Sequence, residues 1–410
     1  MSELERILER IEGSRDEIIT LQKELTSRVA LGPTNNGTGE HEKAGFLKQR
    51  LQDLSPDSLE EIRVPDERAH EGYRPNLLAR WEGEKAGPTL WVLSHMDVVP
   101  PGDLSLWEAD PYQIRVDGDK IFGRGVEDNH HGIVSSFIAI QAIRELGLGP
   151  VRRVGLAMVA DEETGSEYGV DYLLRHHATL FSPEDLIIVP DMGNPEGTMI
   201  EVSEKSMLWL KFTVTGLQCH GSTPHRGKNS LYGAARLIID LHGLRERFQE
   251  EDPLFSPPLS TFEPTKKEAN VPNINTIPGR DVFYMDCRVL PRYGLDAIIQ
   301  ATEEIAAGVA KELDLTITVE PEYRQDATNP TPVDAPVVTA LARAIEKVTG
   351  RQAVPMGVGG GTVAAFFRKS GIPVAVWVTE PDTAHQPNEY CLISSIISDA
   401  KVFAHLYMDE

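Results

Sequence analysis

Residues 154–166 read VGLAMVADEETGS, a run of small and apolar residues followed at once by the adjacent carboxylates Asp161, Glu162 and Glu163. A continuous apolar run of this length, bounded sharply by polar residues, reads as a strand buried on both faces. Like charges at its end repel one another and lose hydration when covered. One reading is a solvated helix N-terminus, where acidic residues complement the dipole. The other requires cations or metal ligands elsewhere in the chain. The pattern recurs in TLWVLSHMD (89–97), LIIVPDMG (186–193) and VAVWVTEPDTAH (374–385), with helical periodicity between, as in GIVSSFIAIQAIREL (132–146). Together they predict an α/β domain, a largely parallel sheet flanked by helices, whose ligands bind beyond the carboxyl ends of the strands.

Between about 205 and 320 the pattern changes. LWLKFTVTG alternates apolar and polar, SLYGAARLIIDLHGLRERF is helical, NINTIPG and DVFYMDCRVLP suggest a hairpin around Pro278 and Gly279, LDAIIQATEEIAAGVAKEL is helical, and LTITVEP closes as a strand. That is the β-α-β-β-α-β order of a ferredoxin-like α+β module. Acidic and histidine-bearing strand ends lie on both sides of it. We therefore expect an insertion, with residues 1–204 and 321–410 forming one domain and 205–320 the other; two sequential domains would separate the last segment from its sheet.

At 410 residues two domains are the default. The net charge of −23, from 40 basic and 63 acidic residues, argues against nucleic acid, which needs clustered Lys and Arg. Cys219, Cys287 and Cys391 are odd in number and lack metal-type spacing, which suits a reducing compartment. The amino terminus reads as a charged surface helix, and no stretch reaches the ~20 apolar residues of a membrane span. The expectation is a soluble cytoplasmic protein with no membrane partner.

Beyond the strand ends stand His95 and Asp97, Glu162 and Glu163, Asp191, and His385, to which GRGVEDNHHG adds Asp128 just before a helix. Singly, each is read as a satisfied polar residue or a helix cap. Converging on one edge, two imidazoles and several carboxylates are suited to one or two divalent metals of the zinc type. A dinucleotide-binding oxidoreductase is excluded, since no G-x-G-x-x-G follows a first strand.

In order along the chain, SHMDVVP, GRGVEDN, ADEETGS, VPDMGN, CHGSTPHRGKNS, NINTIPG, GGGT and AHQPNEY resemble the zinc peptidase and deacylase family of glutamate carboxypeptidase, succinyl-diaminopimelate desuccinylase, acetylornithine deacetylase, aminoacylase and the cytosolic dipeptidases. The resemblance implies two divalent ions, zinc first, with cobalt or manganese as alternatives. Asp128 would bridge them, His95 and Asp191 would complete one ion, and Glu163 and His385 the other. It further implies Glu162 as general base and Asp97 as the carboxylate orienting His95. The Asp128–Asn129 peptide would be cis. The inserted module would be a lid and dimerisation domain, its His220 reaching a partner subunit's site to steady the oxyanion. Asn273, Arg288 and the loop with Gly360, Gly361 and Thr362 would contact substrate.

Three departures matter. Where many family members have Met-Lys-Gly-Gly after the bridging Asp, this chain has Asn129, His130, His131 and Gly132. The two histidines are read as packing or substrate contacts rather than extra ligands. Val363 and Ala365 replace an Asp and the Arg that holds a substrate carboxylate, with Arg368 as the nearest substitute. Asp rather than Glu at 191 tilts the reading toward peptides over N-acyl amino acids. The expected activity is amide hydrolysis of a small-molecule or short-peptide substrate by a homodimer; the competing reading is a non-catalytic binder of peptides or metal.

Overall fold

In the computed structural model, which describes residues 1–409, the four apolar runs form the parallel centre of one sheet. Its strand order is Ser58–Pro65, Tyr73–Trp81, Val154–Val159, Leu90–His95, Leu186–Val189, Val374–Val376, Met199–Glu204, Val354–Val358. Val154–Val159, Leu90–His95, Leu186–Val189 and Val374–Val376 run parallel. Antiparallel pairs extend the sheet on both sides. Trp91 lies opposite Gly155, where a Cβ would sit 2.2 Å from the indole, so glycine makes room for the largest side chain of the strand.

The helix His130–Glu145 is buried from His130 through Ile143 and packs on the helix Ile393–Tyr407. Elsewhere in the core Phe181 meets Trp91 and Phe367 edge-on, with centroids 5.2 and 5.0 Å apart, a geometry the aromatic quadrupoles favour. The amino terminus is two helices, Glu3–Glu12 and Arg15–Ser27, rather than one. Its break at Gly13 and Ser14 keeps Ile7, Ile11, Ile18, Leu21 and Leu25 buried. Among the described residues no helix is long and apolar enough to cross a membrane.

Met1–Val202, Pro330–Met356 and Thr362–Glu410 form one compact unit, and Ser203–Asn329 with Gly357–Gly361 form a second. The second carries an antiparallel sheet ordered Thr261–Lys267, Arg280–Val289, Ser206–Thr215, Thr316–Gln325, with the helices Ser230–Leu241 and Leu295–Leu313 packed on its apolar face. Alternation does the work here. Leu208, Leu210, Phe212 and Val214 are fully buried, and Phe212 stacks on Phe283 with centroids 4.5 Å apart.

Two expectations fail in this unit. The strand beside Arg280–Val289 is Thr261–Lys267, not NINTIPG, from which Thr276–Ile277 pairs instead with Cys219–His220. Pro264 and two lysines disguise an edge strand, and the register shifts after Pro264, as edge strands tolerate. The boundary expected at 320 falls inside Thr316–Gln325, which continues past Pro321 through a second register shift.

Candidate metal centre

The strand Leu90–His95 ends on a histidine whose Nδ1 donates to the Asp97 carbonyl at 3.0 Å. A carbonyl only accepts, so this contact fixes the proton on Nδ1 and turns Nε2 toward the carboxylates. Nε2 lies 2.8 Å from Asp128 Oδ1 and 3.2 Å from Asp191 Oδ1. The other Asp128 oxygen, Oδ2, lies 3.1 Å from His385 Nε2, which is also 3.1 Å from Glu163 Oε2. One carboxylate therefore faces two imidazoles, each with a second carboxylate beside it. Glu162 completes a cluster with His95 and Asp191 in which one donor atom per residue lies within 4.8 Å of the others.

Electrostatics describe the same crowding. Burial pushes the Glu162 carboxyl well above its ordinary range, and Asp191 adds to it. Burial and then Asp128 push Glu163 up to about 7. Burial alone would lower His95, but Asp191 and Asp128 outweigh it and hold the ring well above its usual value. Hydrogen bonds to Asp128 and Glu163 raise His385 to about 10. More negative charge is buried here than the protein's own cations neutralise. Glu163 Oε1 is moreover buried with no hydrogen-bond partner. Two imidazoles, four carboxylates and an orphaned oxygen fit divalent cations of the zinc type.

The backbone that carries these groups is held from behind. Asp97 Oδ1 and Oδ2 accept from the amides of Glu162 and Glu163, each at 3.0 Å. The Asp97 carboxylate oxygen Oδ1 is 3.6 Å from His95 Nδ1, so its carbonyl rather than its carboxylate bonds the ring. Glu162–Thr164 is a single 3-10 turn, so the helix-dipole reading of the acidic run has no helix to rest on. Asp161, at φ 65°, points its carboxylate back to Arg74 and to the amide of Tyr168. The Asp128–Asn129 peptide is cis, and Asn129 Nδ2 donates to Asp191 Oδ1 at 2.5 Å. Gly132 allows this approach: a Cβ there would lie 2.4 Å from Pro190.

Several residues with no assigned role in the sequence share this task. Glu389 is fully buried and accepts from the amides of Gly125, Glu127 and Asp128 and from Arg124. Glu127 accepts from the Thr383 amide, tying the Asp128 turn to the His385 loop. The only sequence signal was that Glu389 lies inside AHQPNEY.

The departures resolve differently. His130 Nε2 is 2.7 Å from Lys43 Nζ, and His131 Nε2 is 2.9 Å from Asp399 Oδ2, all in the buried core, so both rings serve packing. Arg368 is buried in an ion pair with Glu201 at 2.7 Å, which removes it as a holder of a substrate carboxylate. In the second unit, Arg288 makes a two-pronged pair with Asp286 and donates to the Gly359 carbonyl at 2.8 Å, placing it against the loop of Gly360 and Gly361. Thr362 belongs to the first unit, where its hydroxyl accepts from the Ala364 amide. His220 and Asn273 are exposed in the second.

A parallel sheet whose carboxyl edge gathers such donors around shared positions defines a candidate divalent-metal site. The chain belongs to peptidase family M20/M25/M40, which it matches over residues 91–409, and is a hydrolase of amide bonds that uses divalent metal. It is 39% identical to an uncharacterized metallohydrolase of Methanococcus maripaludis, over 95% of this chain and 98% of the relative. It is 30% identical to a succinyl-diaminopimelate desuccinylase of Cereibacter sphaeroides, over 82% of this chain and 87% of that protein. The fold resembles a di-peptidase from Saccharomyces cerevisiae, with a TM-score of 0.75, 14% identity and coverage of 99% and 98%. It also resembles human carnosine dipeptidase 1, with a TM-score of 0.71, 18% identity and coverage of 99% of each chain.

Proposed function

We propose that the protein is a di-metal amidohydrolase that cleaves a peptide or N-acyl bond in a small amino-acid-derived substrate. The observation that carries this reading is the split of the Asp128 carboxylate between His95 and His385, each with a further carboxylate at hand. Asp128 would bridge, with His95 and Asp191 on one ion and Glu163 and His385 on the other. Zinc is the first choice, with cobalt or manganese able to use the same donors. Bound there, such ions polarise a scissile carbonyl and lower the pKa of water.

Glu162 is left to move the proton. Its carboxyl sits beside His95 and Asp191 but is not shared between the imidazoles, so as a carboxylate it takes the proton of the attacking water and returns it to the leaving amine. Asp97 holds the Glu162 amide and so fixes where that base stands. His220 Nδ1 accepts from the Ser222 amide at 3.1 Å, which makes Nε2–H the free donor. In a homodimer that donor would steady the oxyanion of a partner's site. The backbone amides of the glycine loop, which Arg288 braces through the Gly359 carbonyl, would read the substrate's carboxylate. Residence in the cytoplasm completes the proposal.

The desuccinylase relatives favour N-acyl substrates, whereas Asp191 in place of Glu favours peptides. Amine release from a panel of dipeptides, acetylornithine and succinyl-diaminopimelate, using zinc- or cobalt-loaded enzyme, decides between them. Glu162→Gln should keep its metal and lose several orders of magnitude of turnover. Full turnover by that variant would remove Glu162 as base, and silence of the wild type with metal bound would favour a binding role.

A further inference from the structure

We propose a second metal site, separate from the catalytic centre, formed by His41, His70 and Glu71. His41 opens the helix His41–Asp53, and His70 and Glu71 form the turn His70–Gly72 before the strand Tyr73–Trp81. One donor atom from each of the three lies within 4.8 Å of the others. The two imidazole centroids are 4.8 Å apart, and His41 Nε2 is 3.9 Å from Glu71 Oε2.

The backbone carrying these ligands is fixed from two directions. The His70 amide donates to the Thr38 carbonyl at 2.8 Å, stitching the turn to the segment before the helix. Beneath it, Arg74 Nε donates to Glu40 Oε2 at 2.7 Å in a pair with no solvent exposure, clamping the neighbours of Tyr73 and His41 together. The Tyr73 hydroxyl lies 3.4 Å from Glu71 Oε2, and its ring meets the His41 ring edge-on, as a group orienting a metal ligand does. Arg63, which lies over the Tyr73 ring, is paired with Glu61 at 2.8 Å, so its charge is already answered.

Tetrahedral zinc holds its ligand atoms about 3.4 Å apart. Exposed His70 and Glu71 side chains can close the remaining distance by rotation, with no backbone movement. Two imidazoles and one carboxylate select zinc, cobalt, nickel or copper over magnesium or calcium, with water in the open positions. Such an ion would clip residues 41 and 70 together across the intervening helix and strand, the closure of a long loop from which a metal gains most. Because none of the three residues belongs to the catalytic centre, the site stands or falls apart from the proposed reaction.

The test is zinc stoichiometry at buffered free zinc, measured by equilibrium dialysis on wild type, His70→Asn, Glu71→Gln and Asp128→Asn. The wild type should hold one equivalent more than either His70→Asn or Glu71→Gln, and both of these should keep the wild-type turnover. Asp128→Asn should keep that equivalent while losing zinc from the catalytic centre. Hydrogen exchange across residues 38–73 should slow on adding zinc to wild type and not to His70→Asn. Equal stoichiometry in wild type and His70→Asn, with equal exchange, would overturn the site.

Discussion

Beyond the carboxyl ends of the parallel strands, ion pairs are buried and tied to the backbone, whereas in the four-stranded unit several stand in water. Arg74, Glu40, Arg124 and Glu389 have essentially no exposed side-chain surface. In the second unit Arg247 and Glu304 make an ion pair at 2.8 Å with about half of each side chain exposed. The physical weights differ accordingly. An exposed pair contributes about 0–1 kcal/mol, whereas breaking a buried one costs about 3–5 kcal/mol because the surviving charge is left uncompensated. The proposed functional groups of the first unit are therefore bound up with its stability, whereas the exposed His220 of the second is free of it.

Arg74→Met tests the buried side of that contrast most directly. Arg74 faces Glu40, Asp161 and, at 3.7 Å, Asp66, so its removal strands several carboxylates behind the Glu162 turn. Urea denaturation should show a loss of about 3–5 kcal/mol, much of it recovered in Arg74→Met/Glu40→Gln. A loss below about 1 kcal/mol would mean that water reaches this network and that the contrast is overstated.

The same contrast explains what could be read from sequence. The four central strands were legible because burial on both faces leaves a continuous apolar run, and the candidate site residues His95, Glu162, Glu163 and Asp191 stand at or directly beyond their ends. The outer strands were not: SLEEIRVP (58–65) and TFEPTKK (261–267) have charged, solvent-facing positions that blur into loop. Nor were Arg74, Glu127 and Glu389, since a lone charge gives no sign that it will meet backbone amides more than 200 residues away, as Glu389 meets Asp128. His385 was read beyond the fourth apolar run, although the strand itself ends at Val376 and a loop carries the ring to the site. His130 and His131, read as packing or substrate contacts rather than ligands, belong to the core.

A smaller effect is expected where packing, not charge, is disturbed. Gly155→Ala puts a methyl into the Trp91 indole with the sheet closed on both sides. Overpacking of this kind costs about 1–3 kcal/mol. Metal content should stay at the wild-type level, because the proposed ligands lie at or beyond the strand ends. An unchanged urea midpoint would show that the parallel strands can slide apart locally, contrary to a rigid support for the metal ligands.

The smallest stability effect, and the sharpest separation of stability from activity, belongs to His220→Gln. The ring is exposed and its Nδ1 bonds only within its own turn, to the amide and hydroxyl of Ser222. Its replacement should leave the urea midpoint within the equivalent of about 0.5 kcal/mol. If its Nε2–H steadies an oxyanion, kcat should nevertheless fall about 10²–10³-fold with KM little changed, the cost of removing one such donor. Mixing His220→Gln with Glu162→Gln then sharpens the test. A homodimer in which His220 serves its partner's site regains turnover, because each mixed dimer pairs one intact base with one intact donor. A site complete within one chain regains nothing, since every chain in the mixture lacks one of the two.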